Sequence, residues 1–150
     1  MELTCPITTC RAANDLGAAV CVRCGAPLTG YARLVAYPAL LFNLGLEAAR
    51  AGQLPRARDL FAAVVHWCPM DLEARNALAM ACLAVGDRSE ARLHWETVLA
   101  RSPSNPIAAR GIGTLDDADV RRAESTRRTT TAPGPRTGQQ KKTGHKRKKR

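Results

Sequence analysis

The chain has 150 residues, with 23 Lys and Arg against 13 Asp and Glu, and the excess of positive charge is unevenly placed. Residues 121–150 hold twelve Lys/Arg and one acid, whereas residues 1–120 hold eleven Arg, no Lys and twelve acids, so the body is close to neutral. With 26 Ala and only six aromatic residues, the composition excludes collagen-like and wholly disordered chains and leaves little room for a large cleft. It favours a mainly α fold with a small-residue core and an appended basic arm.

Met1-Glu2-Leu3-Thr4-Cys5 carries neither a basic n-region nor an apolar h-region, so no secretory leader is expected. The most apolar stretch, 31–46, is interrupted by Arg33, Pro38 and Asn43 and is shorter than the roughly 20 residues of a spanning helix. A cytoplasmic protein is expected, and there six cysteines point to metal or packing rather than to disulfides.

Cys5, Cys10, Cys21 and Cys24 are spaced C-x4-C-x10-C-x2-C. Four thiolates on two tight turns can converge on one tetrahedral zinc, and they leave no open position for catalytic water. Gly25 suits the positive φ of the second turn, and Pro6 stiffens the first. Asn14-Asp15-Leu16-Gly17 reads as a hairpin or loop between them, giving a small β module over residues 1–29. Cys5-Pro6, Cys10, Asn14, Ala18, Cys21-x-x-Cys24-Gly25 and Leu28 resemble the short bacterial zinc ribbon, CPxCGxxNxxxAxFCxxCGxxL. The chain departs from that pattern with two extra residues in the first knuckle and with Arg11 in place of Gly. Segment 30–37 is an apolar, ordered linker of ambiguous secondary structure, expected to pack on the helix that follows.

From residue 38 the chain matches itself at an offset of 34: Leu44 with Leu78, Gly52 with Gly86, Ala57 with Ala91, Phe61 with Trp95, Val64 with Val98, Pro69 with Pro103. The pattern predicts helices near 38–51, 54–67, 72–85, 88–101 and 106–112, with Thr114 capping a further short helix to about Glu124. Gly52 and Gly86 would end the first helices, Pro69 and Pro103 the second, and Asp71 and Asn105 would cap the next. Small residues at Gly45/Ala79 and Ala57/Ala91 allow close crossing around Phe61 and Trp95. Period and residue order resemble the tetratricopeptide repeat, with two repeats and a capping helix over 38–124, although Leu41 and Arg75 stand where the family has Trp. The resemblance implies a partner groove on the first helices, at Ala39, Phe42, Leu46, Ala49 and Arg50, then Glu73, Asn76, Met80, Leu83 and Ala84, and finally Arg110. Phe42 and Leu46 occupy two positions of the family's carboxylate clamp, so an apolar or helical segment is the expected ligand.

Residues 125–150 lack apolar periodicity and read as a disordered basic tail. Lys141, Lys142, Lys146, Arg147, Lys148, Lys149 and Arg150 form an electrostatic arm suited to polyanions without sequence readout. His66 and His94 are out of phase with the repeat and paired with no nucleophile, and no phosphate loop or paired-acid site is present. The expectation is a non-enzymatic adaptor with one structural Zn2+, a protein partner and no small-molecule substrate. The alternative is a nucleic-acid-associated accessory protein led by the tail.

Overall fold

In the computed structural model, residues 2–130 are described: strands β1 (Glu2–Thr4) and β2 (Ala13–Asp15) and helices α1 (Thr29–Arg50), α2 (Leu54–Trp67), α3 (Leu72–Ala84), α4 (Arg88–Arg101) and α5 (Pro106–Thr130). The strands pair antiparallel, Leu3 opposite Asn14. Among the described residues, those to Asp116 form one compact unit, and those from Asp117 belong to a second.

The 34-residue period is present in the backbone. α2 and α4 share both boundaries at that offset, α1 and α3 share their ends, and α3 and α5 share their starts. Each first helix closes in the same way. Gly52 (φ 73°) donates to Ala49 O and Gln53 to Ala48 O, and Gly86 (φ 92°) and Asp87 repeat the pattern on Leu83 O and Cys82 O. This is the left-handed glycine closure that the sequence predicts. Asp71 accepts from the Ala74 N–H, and Asn105 from Ile107 and Ala108, as N-caps. Asp87 makes a further cap on Glu90 that the sequence reading missed.

Phe61 and Trp95, 3% and 2% exposed, are the wedges of the core. A Cβ at Gly45 would stand 2.6 Å from the Phe61 ring, so α1 reaches that ring only through glycine. Trp95 is seated by Gly111 of α5, where a Cβ would lie 2.4 Å from the indole. Gly111 was not foreseen, because it lies off the register of Gly45. Ala57, Ala74, Ala79, Ala91 and Ala108 are fully buried, which is how a chain poor in aromatics reaches core density.

Two boundaries differ from the sequence reading. Residues 29–37 are the opening turns of α1, and Pro38 lies inside that helix. Proline there costs on the order of 3 kcal/mol. Tyr31 and Ala32 pack on the N-terminal module, and Tyr37 meets Trp67 edge-on at 6.0 Å, which offsets that cost. α5 runs without a break through Thr114, whose hydroxyl donates to Arg110 O rather than capping a new helix. Leu115, 1% exposed, is buried in the core, with Arg88 donating to its carbonyl and Arg92 paired with Asp116 at 2.8 Å. The helix extends through residues 125–130, which the sequence alone assigns to the tail. No helix among the described residues is long and apolar enough to cross a membrane.

The two glycines of α5 make a matched test. Gly111→Ala should lower stability by about 1–3 kcal/mol through overpacking on Trp95. Gly113→Ala, in open space on the same helix, should raise it by about 0.5–1 kcal/mol through helix propensity. Urea melts of the two variants should therefore move in opposite directions.

Candidate metal centre

The four N-terminal cysteines converge. Their Sγ atoms all lie within 4.8 Å of one another, with Cys5–Cys24 and Cys10–Cys21 each at 3.7 Å. A disulfide needs about 2.05 Å. A tetrahedral ion with metal–sulfur bonds of about 2.3 Å needs sulfur–sulfur edges of about 3.8 Å. Four free thiols at that spacing can hold one metal ion. Cys5, Cys10 and Cys21 are buried and Cys24 is exposed.

The backbone explains how a widened first knuckle serves the same purpose as the second. In the second, Gly25 donates to Cys21 O at 2.9 Å and sits at φ 70°. In the first, Arg11 donates to Ile7 O at 3.1 Å and sits at φ 47°. Ile7 thus holds the backbone place that Cys21 holds in its own turn. Cys5, two residues earlier, is anchored by its N–H on Ala12 O and carries its sulfur to the cluster across the two extra residues. Arg11 adopts the left-handed conformation that usually falls to glycine, at a cost of about 1–2 kcal/mol.

Two side chains lock the knuckles together. Asn14, 6% exposed, donates to Ala12 O at 2.8 Å and accepts from the Val22 N–H at 2.9 Å, tying β2 to the second knuckle. Arg23 donates to Cys10 O at 2.9 Å. The apolar core here is Leu3, Ala12 and Leu28 with the three buried cysteines. Half of that core is cysteine, so a metal ion held by these thiols would couple its binding to the folding of this module.

The thiols are electrostatically unequal. The backbone amides of Cys24 and Arg23 stabilise the Cys21 thiolate and bring its pKa down to about 6. Burial pushes Cys5 up to about 12. The Ala12 amide pulls Cys10 down, but burial and the thiols of Cys24 and Cys21 outweigh it and leave Cys10 raised. Of the four thiols Cys21 is the one pulled toward thiolate, while Cys5 and Cys10 would have to give up protons to bind a metal.

The residues expected to form a partner groove fall into distinct places. Met80, Leu83 and Arg110 line a cavity of about 450 Å3 with Ile107, Gly111 and Thr114, and the Trp95 indole contributes to its wall. Ala39, Phe42 and Glu73 line a second cavity of about 420 Å3 that also includes Leu16 of the N-terminal module. Leu46 and Ala49 are half-buried against the core, and Arg50 and Ala84 are exposed at helix ends. Asn76 is 4% exposed and donates to the Asn105 side chain at 3.3 Å, a buried link between α3 and the cap of α5. His94 bridges Arg75 and Glu90, and burial holds its pKa below the ordinary value against the pull of Glu90. Lys141, Lys142, Lys146, Arg147, Lys148, Lys149 and Arg150 lie outside the described residues. Leu16 and Ile107 were missed as lining residues because nothing local marks a loop or first-turn aliphatic residue as facing a cavity.

Metal binding should be proton-linked. Cys5 and Cys10 have raised pKa values, so their thiols are protonated below those values and compete with metal as pH falls. The logarithm of apparent affinity should rise by about two or more per pH unit between pH 6.5 and 8, read by chelator competition. Arg11→Gly should tighten metal binding by about 0.5–1 kcal/mol by relieving the left-handed strain, less the added freedom of the unfolded chain. Comparison of the chain with protein-family models, with curated proteins and with solved structures finds no match to any of them, so the geometry of the site is what bears on function.

Proposed function

We propose that the protein is a non-enzymatic adaptor in which a structural zinc ribbon is fused to a short tetratricopeptide-like array, with the first helices of that array receiving a protein segment. The observation that carries the reading is the thiol cluster. Four sulfurs within 4.8 Å of one another, two pairs of them at 3.7 Å, would saturate a zinc ion and leave it without a position for water or substrate, which supports a structural metal rather than a catalytic one. Zinc is favoured over harder cations by an all-thiolate donor set. The helical hairpins behind it support an interaction role, since their first helices bear Met80 and Ile107, 57% and 42% exposed, around an open apolar cavity.

A second reading rests on the seven Lys/Arg among the last ten residues, which suit phosphate contacts without base readout. Affinity purification of the full chain and of a chain stopped at residue 130, each with and without nuclease, separates the two. The adaptor predicts partners that survive both nuclease and truncation, with one zinc per chain by metal analysis. The nucleic-acid reading predicts nuclease-sensitive recovery that is lost on truncation, and a log–log salt slope on duplex DNA of about −4 to −5 for residues 146–150.

A further inference from the structure

The cysteine module contributes one residue, Leu16, to the wall of a cavity otherwise lined by the helical array. Leu16, in the turn after β2, faces Val35 and Phe42 of α1, Val64 of α2 and the start of α3 at Asp71 and Glu73, around about 420 Å3. The walls are mainly aliphatic and aromatic. The charged groups among the lining residues are two carboxyl side chains, with no Lys, Arg or His beside them. Asp71 already caps α3. Glu73 is exposed and has no hydrogen-bond or ion-pair partner among the described residues. The other cavity on the first helices has the opposite character, its one charged lining residue being Arg110.

We propose that this cleft is a docking slot for a segment of another protein that presents a large apolar residue beside a Lys or Arg, and that its Leu16 wall makes the slot depend on bound metal. The inference rests on the adaptor reading and assigns it a partner chemistry. An apolar side chain entering the slot removes its own surface and that of Leu16, Val35 and Phe42 from water, and a neighbouring cation meets Glu73. The chain's own basic tail is the wrong occupant. Residues 131–150 supply cations, but Ala132 and two prolines are their only apolar side chains, so the walls would stay uncovered. Metal dependence follows from the ribbon core, of which half is ligand. Without the ion the module unfolds and Leu16 leaves the cleft.

The test is selection of a random peptide phage library on the full-length, zinc-loaded protein, followed by fluorescence anisotropy with the enriched peptides. Enriched sequences should share a large apolar residue within a position or two of Lys or Arg. Their affinity should fall roughly tenfold or more in Ala39→Arg and in Glu73→Lys, both at exposed positions and both expected to keep the wild-type melt. Chelation should weaken binding by a similar factor. Leu16→Ser, which leaves all four ligands in place, should do so with zinc retained. Met80→Glu, in the other cavity, should leave affinity unchanged. Enrichment of acid-flanked peptides, or of peptides sensitive to Met80→Glu and indifferent to Ala39→Arg and Glu73→Lys, would overturn this slot while leaving the adaptor reading standing. Binding unchanged by both chelation and Leu16→Ser would overturn the metal dependence, and failure to enrich any peptide would count against both.

Discussion

Two aromatic rings seated on glycines fix the helical array. Phe61 and Trp95 occupy equivalent places in successive hairpins, and each needs a neighbouring helix to approach closer than a Cβ allows. Once those contacts are made, the fully buried alanines bring the remaining helices to van der Waals distance, and dispersion over many small contacts replaces the few large ones of an aromatic core. The rings also position function. Trp95 contributes to the wall of one cavity, and Phe42, at 5.4 Å from Phe61, lines the other.

The N-terminal module obeys a different constraint. Its few apolar residues cannot offset the entropy of ordering some 26 residues, so closure falls to the cysteine cluster. The two knuckles reach the same sulfur geometry from different spacings because the hydrogen-bond frame, not the residue count between ligands, sets where each sulfur points. Arg11 in a left-handed conformation is the strain left by that solution, held in place by the hydrogen bond its N–H donates to Ile7 O.

α1 joins the two constraints. Its opening turns bury Tyr31 and Ala32 against the core of the cysteine module, and its later turns bury Leu41, Gly45 and Ala48 in the array. A helix shared in this way carries Pro38 because both ends are anchored. It also gives Leu16 a fixed relation to Phe42, so the cysteine module contributes to a cleft in the helical one.

The sequence by itself determined the elements whose signals are local. Cysteine spacing located the four thiols that converge, the 34-residue offset located four helix starts and two helix ends to the residue, and Asp71, Asn105, Gly52 and Gly86 marked their own caps and closures. Each of these depends on a side chain acting on backbone a few residues away, which spacing alone encodes. Tertiary structure decided the rest. Pro38 and Thr114 read locally as boundaries, yet both lie inside helices because Tyr31, Tyr37 and Leu115 found partners distant in sequence. Asn76 read as a surface position and is buried, since Asn105 lies across the helix interface. The seat of Trp95 on Gly111 and the place of Leu16 beside Phe42 arise between elements, and no local pattern marks which elements will meet.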